Sequence, residues 1–131
     1  MSDRISREQW KLIAILSFFW APLLGSLGIF FPFYSLYLEN DLDLSGQQIG
    51  LAMGVFHLIG LVGQPAWGYL ADRTGARKII LVVITIGMAF GFLVIWRVAG
   101  YPALLLASMF FAAFYTSLIP QGMALSLGVL Y

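Results

Sequence analysis

Charged residues divide this chain into long apolar runs. The uncharged stretches are Leu12–Leu38, Leu44–Ala71, Ile79–Trp96 and Val98–Tyr131. A helix needs roughly 20 apolar residues to cross a bilayer's hydrocarbon core, so the pattern predicts four membrane-spanning segments. Lipid offers the backbone no hydrogen-bond partners, which makes these segments helices rather than strands. Local chemistry sets their ends. Ser45 with Gln48 three residues later reads as a capping box and starts the second helix at Gly46. Gly75 breaks the chain before the third helix. Gly100-Tyr101-Pro102 makes a turn, with Pro102 suited to the first turn of the fourth helix. The predicted spans are about 12–38, 46–70, 79–97 and 102–129. Pro22 and Pro32 fall inside the first and predict bends there.

Composition turns this pattern into a fold class. Of the 131 residues 61% are hydrophobic and 10% charged, with mean hydropathy +0.92. Soluble domains carry about 25% charged residues, and a small one cannot hide so much apolar surface in a single core. The chain is therefore expected to be an all-α membrane protein whose main solvent is the lipid bilayer. A net charge of +1 argues against a nucleic-acid partner, which calls for a basic face. Cysteine is absent, which removes disulfides and thiolate metal sites; no metal site and no cofactor is expected. Arg4, Arg7 and Lys11 could lead a signal peptide, but the apolar run behind them far exceeds a signal core of about 7–15 residues.

Charge asymmetry predicts the orientation. Arg4, Arg7 and Lys11 precede the first span, and Arg73, Arg77 and Lys78 lie between the second and third. The first and second spans are joined by acids alone, Glu39, Asp41 and Asp43. The positive-inside rule then places both termini and the 2–3 connection in the cytoplasm, with the spans in the cell (inner or plasma) membrane. Arg97 is the exception.

Along the second span Gly46, Gly50, Gly54, His57, Gly60, Gln64 and Gly68 fall in one stripe about 120° wide. Small residues let helices approach closely and polar ones avoid lipid, so this stripe faces protein or a water-filled cavity, while Phe56 and Val62 lie on other faces. Gly87 and Gly91 repeat the device on the third span. Close packing explains such a stripe, and so does the lining of a solute path. An ionisable His57 inside a membrane is a functional candidate; a neutral histidine giving one hydrogen bond to a nearby carbonyl is the plainer account.

Between the second and third spans stands Gly68-Tyr69-Leu70-Ala71-Asp72-Arg73-Thr74-Gly75-Ala76-Arg77-Lys78-Ile79-Ile80-Leu81. Asp72 sits where the negative end of a helix dipole disfavours an acid, so Arg73, Arg77 or Lys78 should compensate it. Asp72 or Thr74 could also cap the third helix, which would make the segment a capped, charge-balanced turn. The segment resembles the 2–3 loop signature of the major facilitator superfamily, G-x-L-A-D-R-x-G-R-[KR]-x-x-L, with a one-residue shift taken up at Ala76. That resemblance implies a twelve-helix transporter of which this chain holds the first four helices, and a small-molecule substrate. It also implies that Gly68, Leu70, Asp72, Arg73, Gly75, Arg77 and Lys78 form a latch between transporter halves, the remaining helices being partners outside this sequence.

Gly28-Ile29-Phe30-Phe31-Pro32-Phe33-Tyr34-Ser35-Leu36-Tyr37-Leu38, with Gln64-Pro65, is similar to the lactose permease, 3-phenylpropionate and nucleoside transporter branch. This implies proton symport of a small organic solute. Tyr34, His57, Gln64 and Gln121 are the candidates for the substrate path. In Pro120-Gln121-Gly122-Met123-Ala124, Met123 stands where lactose permease carries a sugar-binding glutamate, which speaks against a galactoside. Two other readings remain. A four-helix carrier like the small multidrug resistance family needs a carboxylate in its first helix, and Leu12–Leu38 has none. A non-transporting membrane scaffold is consistent with composition but not with the loop signature. No nucleophile constellation or intramembrane acid–base pair points to an enzyme.

Overall fold

The computed structural model describes residues 6–130, with side chains from 6 to 128; Arg4, one of the N-terminal cations, lies outside that range. Four helices occupy almost all of it: α1 (Arg7–Asn40), α2 (Gly46–Thr74), α3 (Arg77–Arg97) and α4 (Tyr101–Leu130). All four are long and apolar enough to cross a membrane. Helices α1 and α3 run past the uncharged stretches that predicted them at both ends and α2 at its C-terminal end, whereas α4 lies within its own stretch. Hydropathy marks the hydrocarbon layer, whereas the helical hydrogen bonding continues into the polar zone beyond it.

The chain forms two compact units, residues 1–44 and 45–131. The first is essentially α1. Its start is fixed by a capping box: the Gln9 amide donates to Ser6 Oγ at 3.2 Å, and the Ser6 amide donates to Gln9 Oε1 at 2.8 Å. Pro22 and Pro32 both lie within this single helix. Phe30 stacks on Tyr34 with ring centroids 5.1 Å apart.

In the second unit α4 is the central element. It packs along both α2 and α3, which touch each other far less. Residue pairs fix the directions. Tyr101 meets Gln48, and Trp67 meets Ala113, so α2 and α4 run parallel. Gly91 faces Phe111 and Gly87 faces Phe114, so α3 is antiparallel to α4. The core between α2 and α4 is aromatic: Phe56, 1% exposed, lies 5.9 Å from Phe111 and 5.3 Å from Tyr115, centroid to centroid. Ala52, Ala107 and Ala112 are buried with small volume, and the larger Leu104 and Ile84, the latter on α3, are buried as well.

Close approach depends on glycine at particular places. A Cβ at Gly91 would stand 3.0 Å from Phe111 Cα, and one at Gly63 would stand 3.2 Å from the Ala113 carbonyl oxygen. Both neighbours are backbone, so neither can yield cheaply. The α3 glycines therefore serve packing against α4. Val62, Leu61 and Ile79 point outward and are mostly exposed, as suits side chains whose surroundings are lipid.

Candidate functional site

The turn between α2 and α3 is built by short-range chemistry. Helix α2 ends at Gly75, whose φ of 64° lies in the left-handed region that a side chain would strain. The Gly75 amide donates to the Ala71 carbonyl at 3.0 Å, and Thr74 Oγ1 donates to the Leu70 carbonyl at 2.8 Å. The carbonyls of Ala71 and Leu70 are thereby bonded at the helix end. Helix α3 then starts from Ala76 with no side-chain cap. Neither Asp72 nor Thr74 caps it, contrary to the expectation from sequence. The Thr74 hydroxyl instead accepts the Ala76 amide at 3.4 Å, and Asp72 is turned to a cation.

That cation is Arg77. Its Nη2 donates to Asp72 Oδ1 at 2.9 Å, with the two side chains 45% and 70% exposed. The guanidinium sets a positive charge beside the acid at an unfavourable helix end, which answers the dipole problem. Arg73 does something else: its Nη1 donates to Tyr69 Oη at 3.0 Å, and the guanidinium lies 6.0 Å from that ring's centre. Lys78 is exposed. Asp72 is the only carboxylate from Ser45 to Tyr131, so a turn carrying Asp72, Arg73, Arg77 and Lys78 bears a surplus of two positive charges. An open groove of about 630 Å³ runs between residues 75–79 and the α4 residues Ala124, Leu125 and Gly128.

The other sequence candidates do not converge. Gly68, half-buried, faces α4 beside Gln121, but a Cβ there would meet Gln121 Nε2 at an ordinary 3.7 Å, so α4 does not require glycine at this position. The tight approaches fall at Gly60 and Gly63 instead. Leu70 is exposed. Gln121 is 7% exposed within α4. His57 is exposed on α2, and its Nδ1 lies 2.7 Å from the Met53 carbonyl oxygen one turn earlier, which fits the plainer account of it. Gln64 is exposed as well, while Tyr34 belongs to α1. Of the α2 stripe, Gly60 and Gly68 reach α4; Gly46, Gly50 and Gly54 have open space where a Cβ would stand.

Two residues that hold this unit together were not singled out from sequence. Trp67 Nε1 donates to the Ala113 carbonyl at 2.9 Å, across α2 and α4. Tyr101 Oη donates to the Gln48 carbonyl at 3.1 Å near the other end of the same pair. The available signal was their type: both rings carry a polar handle that seeks a partner when buried.

The family model described as the Major Facilitator Superfamily matches residues 14–129, reaching into all four helices. An uncharacterized transporter, YwbF, of Bacillus subtilis (strain 168) is 34% identical over 87% of this chain and 28% of its own length. A maltose permease of Geobacillus stearothermophilus is 29% identical over 83% of the chain and 28% of its length. A lactose permease of Citrobacter freundii is 36% identical over 45% of the chain and 14% of its length. The chain thus spans little more than a quarter of the relatives it matches most broadly. No match to a solved structure was found. Matched across its helices by the family model and similar to proteins named as transporters and permeases rather than enzymes, the chain belongs to the Major Facilitator Superfamily.

Proposed function

We propose that the chain supplies the first four helices of a twelve-helix secondary transporter, working by alternating access and coupled to protons. In this reading both ends of the four-helix segment and the α2–α3 turn face the cytoplasm, as the distribution of Arg and Lys suggests. The observation that carries it is the Asp72–Arg77 pair. It is held by a cap at Gly75, and it is exposed on both sides.

A latch has to open as readily as it shuts. Exposed ion pairs contribute about 0–1 kcal/mol, so Asp72 and Arg77 can exchange each other for partners on the opposite half at little cost. Two conformations populated during a transport cycle differ by only a few kcal/mol, and such a pair can bias them without locking either. Arg73, already engaged by the Tyr69 hydroxyl, is positioned to take a carboxylate from the other half. Gly68, Leu70 and Lys78 complete the motif around this pair.

The solute is proposed to be small and organic. Two relatives are named as sugar permeases, which supports that class. Met123, 56% exposed, offers no carboxylate for sugar hydroxyls, which disfavours a galactoside. Tyr34, His57, Gln64 and Gln121 remain the side chains offered to a path, with the remaining helices supplying its other wall.

The test is Asp72→Asn in the full-length parent, reconstituted in vesicles with a pH-sensitive dye inside. A panel of sugars, nucleosides and small organic acids is added outside. One of them should drive proton entry in the wild type, and the variant should insert normally yet lose that signal or slow it severely. Wild-type rates in the variant would remove the latch from the mechanism. No proton entry with any solute that is nevertheless taken up would remove the coupling.

A further inference from the structure

We propose that the groove between the α2–α3 turn and the end of α4 is a binding site for the headgroup of an anionic phospholipid. Three independent features of the second unit point to an amphiphile of that charge. The first is electrostatic. Arg77 and Lys78 line one wall, and the only carboxylate in the unit, Asp72, is already occupied by Arg77. The facing wall cannot supply another, because α4 contains no Asp, Glu, Lys or Arg from Tyr101 to Leu130. Lys78 is therefore left for a negative group from outside the unit.

The second feature is shape and polarity. The opposite wall is made of Ala124, Leu125 and Gly128, all uncharged and apolar, and the groove leaves about 630 Å³ open. That is room for a glycerophosphate group, but the wall offers it van der Waals contact only. Recognition is accordingly one-sided, by charge from the turn.

The third feature distinguishes a lipid from a free anion. Ile79, the groove's last residue on the α3 side, is 65% exposed and begins a continuous apolar row. Val82, Val83, Ile86, Phe90 and Leu93 follow at helical spacing, each between 42% and 64% exposed. A headgroup held by Lys78 and Arg77 would lay its acyl chains along this row. The groove lies at the end of α2, where the apolar run gives way to Asp72 and Arg73, which is the level of a bilayer's phosphates. This inference does not depend on the transport reading, and its readout involves no transport.

The experiment is native mass spectrometry of the full chain released from detergent with phosphatidylglycerol or phosphatidylcholine of matched acyl chains. The wild type should retain phosphatidylglycerol in clear excess. A basic side chain near an anionic surface is worth about fivefold in affinity, so Lys78→Gln should lower that excess about fivefold. Ala124→Phe, which adds bulk and no charge, should lower it as well. Circular dichroism confirms that each variant keeps its helices. Equal retention of the two lipids by the wild type would overturn the proposal, as would an undiminished excess in Lys78→Gln. Displacement of phosphatidylglycerol by millimolar inorganic phosphate would overturn it too, by showing a site for a free anion.

Discussion

Gly87 gives the sharpest test of how α3 and α4 meet. A Cβ built there would stand 2.5 Å from Phe114 Cδ1 and Cε1 and 2.8 Å from Cγ. Carbon atoms attract best at about 3.5–4.0 Å, so the ring has to retreat by roughly 1 Å. It has little room to do so. Phe114 lies 5.4 Å from Trp67 and 5.0 Å from Phe110, centroid to centroid, and Trp67 is tied to the Ala113 carbonyl. Forcing one extra methyl into such packing costs about 1–3 kcal/mol. Alanine's better helix propensity returns about 1 kcal/mol. Gly87→Ala should therefore destabilise the second unit by about 1 kcal/mol. Gly54→Ala on α2, with nothing within 4 Å, should show the propensity gain alone. Reversible unfolding in mixed micelles, followed by circular dichroism, reads both. In a double-mutant cycle, Phe114→Leu should lessen the cost of Gly87→Ala, since it removes the ring that obstructs. If Gly87→Ala matched Gly54→Ala in stability with Phe114 in place, α3 and α4 would not pack as described.

Two further substitutions probe other links. Trp67→Phe keeps a ring beside Phe114 but loses the bond to the Ala113 carbonyl, and should lower stability in the same assay by about 0.6–1.5 kcal/mol; an unchanged midpoint would mean that bond contributes nothing. Thr74→Cys introduces the single thiol of a cysteine-free chain at the exposed end of α2. A membrane-impermeant maleimide should modify it only after cells are permeabilised, and labelling of intact cells would invert the proposed topology.

The four helices were legible because charge is expensive in lipid: Lys11, Glu39, Asp43, Asp72, Lys78 and Arg97 separate the apolar runs. The capping box at Ser45 and Gln48 was equally plain, being a local device, and both of its bonds form. The face of α2 that meets α4 was not. Ala52, Phe56, Gly63 and Trp67 carry it, and the small and polar stripe overlaps it only at its edge, through Gly60 and Gly68. In water an apolar face means an inward face. In lipid Phe56 and Val62 look alike in sequence, yet one is 1% and the other 71% exposed. What separates them is the shape of the neighbour at Phe111 and Tyr115, far along the chain. At the turn, charge complementarity named Asp72 and its possible partners, but three cations competed for one acid. The structure gives the acid to Arg77, across the left-handed turn at Gly75, while Arg73 bonds to Tyr69.

The position of α4 between α2 and α3 bears on how this segment is made. The bonds that join α2 to α4 link residues 46 and 53 positions apart. A ribosome therefore delivers α2 and α3 into the bilayer as a hairpin whose arms have little to say to each other. Trp67, Gly87 and Gly91 wait there for a partner not yet synthesised. Packing of this unit waits for α4, which slots between two helices already inserted. During that interval the cell has to shield a half-built wedge, and a pause in translation before Phe114 would prolong its exposure to insertases and membrane proteases.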